Sequence, residues 1–387
     1  MGGFGLDIVA QSKRPSLSVR FLGDLQPDFS GEYDFEIFSI GPSRLSINGE
    51  ILIDNWTSQE PGEAFFGMGS AQKRGKIFFE KGQTYSLEIE YKWEGRFPAV
   101  QIGMQAPDQH DLMEEAILLA QEADAVILIA GTNSDWETEG NDRSTLDLPS
   151  NQNELIERIC KLNSNTVVVL NTGAPCEMPW INDATAALQC WFPGQEFGNS
   201  LSDVIFGNTN PSGKLPTTFP KSLKDTPAFS TYPGNDLQMD YEEGLFIGYR
   251  WYDKEDIKPL FPFGHGLSYT TFQYSNLRAI APKGSSSVAA FELDVENTGT
   301  IAGKEVIQGY VKVPNSQIER PLKELKKFEK ISLEPGETQK VVFELSERDL
   351  SFWSIENKSW QVEPAEYVFE VGASSADIRE STSVWLG

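Results

Sequence analysis

Three hydrophobic rhythms follow one another along the chain. From residue 16 to about 104, apolar and polar side chains alternate with a period of two. Tyr33-Asp34-Phe35-Glu36-Ile37-Phe38, Arg44-Leu45-Ser46-Ile47 and Tyr85-Ser86-Leu87-Glu88-Ile89-Glu90-Tyr91 each predict a strand with one buried face. Asn48-Gly49, ahead of Ile51-Leu52-Ile53-Asp54, predicts a tight hairpin. Residues 57–76 are Gly-rich, hold Phe65 and Phe66, and predict a loop whose length hints at function. No helix is expected in this region.

The period changes near Pro107. Asp108 or Asp111 is positioned to cap a helix running to about Glu122, with apolar positions at Leu112, Ala116, Leu119 and Ala123. Ala125-Val126-Ile127-Leu128-Ile129-Ala130 then reads as a buried strand. Ser150 is expected to cap a second helix containing Leu155, Ile159 and Leu162. Thr166-Val167-Val168-Val169-Leu170 follows, apolar on both faces as in the centre of a parallel sheet. A short strand at Ala187–Trp191 and a helix over about 197–206 complete an alternation of strand and helix, which is α/β.

Residues 208–269 are rich in Pro, Gly and aromatics and read as an ordered connector. From about 270 the period of two returns in Phe291–Val295, Val306–Val313, Lys340–Leu345 and Tyr367–Gly372. Short strands with turns between them predict an immunoglobulin-like sandwich. The expected fold is therefore multidomain α/β plus all-β. Its order is a β-sandwich, then a three-layer α/β sandwich with a mostly parallel sheet, then a second β-sandwich.

Composition narrows the function. Lys+Arg number 32 against Asp+Glu 57 in 387 residues, a formal net charge of −25. Phosphate recognition needs a basic face, so neither a nucleic acid nor a membrane is an expected partner. A neutral sugar is compatible with this charge, and the nine tryptophans suit either sugar platforms or sandwich cores. Cys160, Cys176 and Cys190 lie in apolar settings and read as buried thiols. With two histidines, His110 and His265, no His-based metal site is expected, and no cofactor. Met1-Gly2-Gly3-Phe4 does not open a signal peptide, so a cytoplasmic location is the default expectation.

Candidate chemistry concentrates in Trp136-Glu137-Thr138-Glu139-Gly140-Asn141-Asp142-Arg143, just beyond the strand at 125–130. A polar loop at the carboxyl end of a buried parallel strand is where α/β folds place binding and catalysis. Clustered acids beside an indole can raise a carboxyl pKa and make a proton donor; a solvated acidic loop is the plain alternative.

Four stretches carry a resemblance to the C-terminal half of family 3 glycoside hydrolases, the β-glucosidase family. They are Glu137–Arg143, Asn210-Pro211-Ser212-Gly213-Lys214-Leu215-Pro216, Tyr241-Glu242-Glu243-Gly244 with Gly248-Tyr249-Arg250-Trp251-Tyr252, and Phe261-Pro262-Phe263-Gly264-His265-Gly266-Leu267-Ser268-Tyr269. The resemblance implies a partial protective-antigen-like β domain at 1–104, an α/β sandwich domain at 105–255, and a connector with a fibronectin type III-like domain at 256–387. It implies retaining hydrolysis of terminal β-D-glucosyl residues, with a β-glucoside or oligosaccharide as substrate. Retention needs two carboxyl groups about 5–5.5 Å apart. Here Glu139 matches the family's acid/base, with Glu137 as the alternative.

The family's (β/α)8 barrel and its nucleophile motif have no counterpart in these residues. The chain is therefore expected to be a truncated, split or partial member, inactive alone. It would be completed by a separate barrel chain, or would associate with itself. A non-catalytic carbohydrate-binding or structural role is the competing function. Trp136, Asp142 and Arg143 are candidate substrate contacts. Trp136 can equally cover the base of its own loop, and Arg143 can pair with Asp142 to hold it. Phe65 and Phe66 are candidate substrate walls, with core packing as their other reading. His265 is expected to tie the connector together, Tyr249–Tyr252 to pack between domains, and Trp353 and Trp360 to fill the sandwich core. No calcium site is expected near Asn48-Gly49-Glu50.

Overall fold

In the computed structural model, residues 16–62, 64–95, 97–107, 112–134, 136–139, 142–235 and 238–387 are described, Phe66 through its backbone alone. The expected caps Asp108 and Asp111 lie outside the described residues. The chain divides into two units, 1–116 and 117–387.

The first unit is all-β in its sheets. Strands β1 (Ser16–Leu25), β2 (Gly31–Ile40), β3 (Ser43–Ile47), β4 (Glu50–Asn55), β5 (Lys73–Phe79), β6 (Tyr85–Glu94) and β7 (Ala99–Gln105) form two antiparallel sheets. Their orders are β1-β6-β3-β4 and β5-β2-β7. Alternation on β2 turns Tyr33, Phe35 and Ile37 inward onto Leu45, Ile47, Ile53 and Phe79. Asn48 and Gly49, at φ 50° and 83°, make the β3–β4 turn, a left-handed pair that Asn and Gly tolerate. The segment 57–76 is not all loop. Ala64–Gly67 is one helical turn, and Lys73 onward is β5, whose Phe79 is fully buried. Asn55 fastens the intervening loop by donating to the hydroxyls of Ser39, Ser43 and Ser70.

The helix Leu112–Glu122 crosses into the second unit and leads to β8 (Val126–Gly131). The helix Gln152–Leu162 then leads to β9 (Thr166–Asn171), followed by β10 (Ala186–Gln189). These strands are parallel, in the order β10-β9-β8. Val168, Val169 and Leu170 bury the central strand. Ser150 is not the helix cap; it stands one residue early at φ 57°, and Asn151 takes the N-cap position without a side-chain bond.

The connector is a set of interlocking turns. Leu215 donates to the His265 carbonyl and receives from the Gly264 amide, both at 2.8 Å. Lys214 reaches the Gly266 carbonyl at 2.8 Å and Glu305 at 3.2 Å. Tyr274 donates its hydroxyl to the same Glu305. The Tyr249 hydroxyl accepts the Leu325 amide, and Arg250 pairs with Glu324, so this stretch packs onto the C-terminal sandwich.

That sandwich comprises β11 (Phe272–Ile280), β12 (Ser287–Asn297), β13 (Gly303–Lys312), β14 (Glu324–Leu333), β15 (Thr338–Ser346), β16 (Phe352–Ser354), β17 (Ser359–Gln361), β18 (Ala365–Gly372) and β19 (Ile378–Leu386). Sheets β11-β12-β15 and β14-β13-β18-β19 enclose a core in which Phe291 stacks on Phe369 at 4.2 Å. Tyr367 donates its hydroxyl to the carbonyl of Glu363 four residues upstream, a corner typical of such sandwiches. Trp353 and Trp360 do not join the core. They face each other across the small β16–β17 hairpin, about half exposed, with the Arg348 guanidinium over Trp360. The hairpin stands outside the two sheets, and Phe291, Phe343, Tyr367 and Phe369 fill the interior instead.

Candidate active site

The acidic loop leaves the carboxyl end of β8, and the loop beginning at Thr172 leaves the carboxyl end of neighbouring β9. Thr132 N extends their ladder by bonding the Asn171 carbonyl at 3.2 Å. The Gln152 side chain closes the end of β8, accepting from Gly131 N at 2.8 Å and donating to its carbonyl at 2.9 Å. Asn133 then folds the chain back. Its carbonyl accepts the amides of Trp136 and Glu137 at 3.0 and 2.9 Å, and its side-chain oxygen also receives Trp136 N.

This fold separates the two glutamates. Glu137 is half-buried. Its Oε1 accepts the Thr132 hydroxyl at 2.5 Å and the Gly173 amide at 3.0 Å. Glu139 is exposed, and its carboxylate makes no hydrogen bond or ion pair among the described residues. Arg143 reaches past Asp142 to the Pro175 carbonyl at 3.2 Å, so it holds the neighbouring loop. Asp142 instead receives the Tyr232 hydroxyl, which holds that phenol above its ordinary pKa. Between these ties lies Cys176, whose thiol is pushed up to about 12 by burial; nearby Arg143 opposes the rise and Glu137 adds to it.

The Trp136 indole Nε1 is enclosed by protein, which favours the covering of its own loop. Phe65 packs on Phe38 at 5.5 Å within the first unit, and the Phe66 side chain lies outside the described residues. His265 ties the connector through its backbone bonds and stacks its ring on Phe261 at 5.1 Å. All three cysteines are free thiols. Among the described residues, no group of three or more His, Cys, Asp or Glu is placed to hold a metal ion. No helix among them is long and apolar enough to cross a membrane.

Sequence reasoning missed Thr132, Gly173 and Tyr232. Gly173 carried a usable signal, since it follows a buried parallel strand at the end where α/β folds build sites.

The parallel sheet with an acidic loop at its carboxyl end is thus preceded and followed in the chain by antiparallel β-sheets. The family model for the glycosyl hydrolase family 3 C-terminal domain matches residues 62–269, and the chain belongs to that family. A PA14 domain matches residues 10–110 and a fibronectin type III-like domain residues 305–375. The chain is 39% identical to a β-glucosidase of Rhizobium radiobacter, over 95% of this chain and 46% of that protein. It is 41% identical to a β-glucosidase of Kluyveromyces marxianus, over 95% of this chain and 44% of that one. The crystal structure of the Kluyveromyces marxianus β-glucosidase in complex with glucose superposes with a TM-score of 0.88 at 39% identity, covering 97% of this chain and 46% of that chain. DesR, a β-glucosidase from Streptomyces venezuelae in complex with D-glucose, gives 0.71 at 32% identity, covering 97% and 47%. The chain thus spans about half the length of the curated relatives it matches.

Proposed function

We propose that this chain supplies the general acid/base of a retaining β-glucosidase, and that Glu139 is that group. The observation that carries the reading is the contrast within the loop: Glu139 is exposed and unengaged, while Glu137, two residues away, is bonded into the protein. A carboxylic acid that donates a proton to a leaving glycosidic oxygen, and later takes one from water, needs an oxygen free to face substrate. A nucleophilic carboxylate about 5–5.5 Å away completes a retaining mechanism, and its charge helps keep the donor protonated. A (β/α)8 barrel polypeptide is the partner that would bring it.

Support for a partner comes from β8. It is one of the two edges of the parallel sheet, and Ile127 and Ile129 on it are 47% and 56% exposed. Parallel strands are ordinarily covered on both faces, and open edges attract further chain. The same reading divides the chain at 1–104, 105–255 and 256–387. It fits β7 ending at Gln105 and the C-terminal sandwich strands beginning at Phe272.

The test is hydrolysis of an aryl β-glucoside by the purified chain, alone and with a family 3 barrel polypeptide. Turnover with the barrel, abolished by Glu139→Gln, supports the reading. Sugar binding without turnover in either mixture sinks it in favour of a carbohydrate-binding protein. Turnover by the chain alone refutes the need for a barrel, and sedimentation of the chain alone reports self-association.

A further inference from the structure

We propose that Glu137 is a positioning residue: its carboxylate is a strut fixing the loop after β8 onto the loop after β9, and residue 173 is a glycine because the strut fills the space a side chain would need. The inference rests on the reading of Glu139 as acid/base and deepens it.

Both donors converge on one oxygen. Thr132 Oγ1, at 2.5 Å, belongs to the strand end that launches the acidic loop, and Gly173 N, at 3.0 Å, belongs to the loop after β9. A proton placed on Oε1 would displace one of these donors. The other oxygen lies against Gly173, so closely that a Cβ built there would fall inside contact distance of Oε2. The same Cβ would stand 2.6 Å from the Phe192 ring. Gly173 needs no left-handed backbone, because it is absent from the positive-φ glycines. Its small size is therefore the physical requirement, and the close approach of Glu137 is one of its two causes.

The strut has a counterpart six residues on. Arg143 donates to the Pro175 carbonyl, also in the loop after β9. Residues on either side of Glu139, at 137 and at 143, are thus tied to a single neighbouring loop. Ties on both sides limit where Glu139 can go, and a catalytic acid misplaced by an ångström loses much of its effect. Glu137 would act through Glu139, and the two acids of the loop would have different work.

Glutamine separates the roles. Gln retains an oxygen that can accept from both Thr132 and Gly173 but cannot supply a carboxylic acid proton. Hydrogen exchange on the full chain reads the strut directly. In Glu137→Ala, exchange at the Gly173 amide and through residues 136–139 should speed up by about tenfold or more, the equivalent of a lost hydrogen bond to a charged group. Glu137→Gln should stay within about threefold of the parent, and Thr132→Val should fall between the two. Gly173→Ala should loosen residues 136–139 from the opposite side. Glu139→Gln should leave the exchange unchanged.

Unaltered protection in Glu137→Ala, or equal loosening in Glu137→Gln and Glu137→Ala, overturns the inference. In the barrel-supplemented assay, Glu137→Gln should keep turnover. Its loss with the loop still protected would make Glu137 a chemical participant and overturn the inference as well. If neither parent nor variants hydrolyse the glucoside, the Glu139 reading fails, while the exchange result still decides the strut.

Discussion

The seam around Lys214 and Glu305 and the loop from Asn133 to Arg143 are both built from charged side chains, but they treat charge differently. In the seam every charge is engaged. Lys214 and Glu305 are 11% and 3% exposed and pair at 3.2 Å; Tyr274 donates to the carboxylate, and Arg379 is held by Asp377 and the Phe272 carbonyl. In the loop, Glu137 and Arg143 are engaged and Glu139 is left free. Buried charge is tolerated when it is paired and hydrogen-bonded, and what it then secures is geometry. An acid kept out of such pairing, beside others that are not, is available for chemistry.

The sharpest way to break this comparison is to remove one acid from each region. Glu139→Gln should cut barrel-supplemented turnover by about 10²–10⁴-fold, the range of a general acid/base. Its denaturant midpoint should match the parent. Glu305→Ala should do the reverse, costing about 3–5 kcal/mol of unfolding free energy by stranding Lys214 as an unpaired buried charge. Urea titration followed by hydrogen exchange at the amides of the C-terminal sandwich strands would read it. If Glu305→Ala unfolds no more easily than the parent, the seam is not held by this pair, and the contrast with the loop loses its basis.

A smaller effect tests the seam's backbone. Gly264 has φ 81°, and a Cβ there would meet the Gln308 amide, with Cδ and Nε2 at 2.7 Å. Gln308 itself donates to the carbonyls of Gly264 and Ala373, joining connector to sandwich. Gly264→Ala should therefore cost about 2 kcal/mol, the strain of a left-handed residue plus displacement of the amide. Gly213→Ala is the control. It lies in the same connector with open space at its Cβ, and it should be close to neutral on the same titration.

How much of this was legible in the sequence depends on the range of the interaction. The strands at 33–38, 85–91 and 340–345 and the helix through Leu155 and Ile159 announced themselves through local periodicity. So did the turn at Asn48-Gly49, because a left-handed pair demands those residues. The strand that begins inside 57–76 has no such local signal, because Lys73-Arg74-Gly75-Lys76 hides the inward positions Ile77 and Phe79 behind charges. Ser150 looked like a better cap than Asn151, yet the backbone needed a left-handed residue at 150. Trp353 and Trp360 read as core because tryptophan is large and apolar; only the pairing of β16 with β17 shows them packed edge-to-face outside the sandwich. The bond from Gly173 to Glu137 spans 36 positions and leaves no local pattern. The distinction between the two glutamates was invisible for that reason.

The smallest expected effect is a pH dependence that should appear in the seam and not in the loop. The His265 ring is stacked on Phe261 in the seam cavity, with Lys214, Glu305, Asp377 and Arg379 around it. Burial lowers its pKa below the ordinary 6.5, Lys214 lowers it further, and Asp377 works the other way. The sign follows from proton counting. Above pH 6.5 the imidazole is neutral in both folded and unfolded chains and contributes no slope. As pH falls through 6.5 the unfolded chain takes up a proton that the folded chain resists, so stability decreases until the lowered folded pKa is passed, and then levels off. His265→Phe, which preserves the ring stack, should flatten this part of the profile in urea titrations between pH 7.5 and about 5, above the range in which most carboxylates titrate. Glu139→Gln should leave the same profile as steep as the parent's. A profile unchanged by His265→Phe would mean that the seam admits water to the imidazole, and that its charges are less enclosed than their pairing implies.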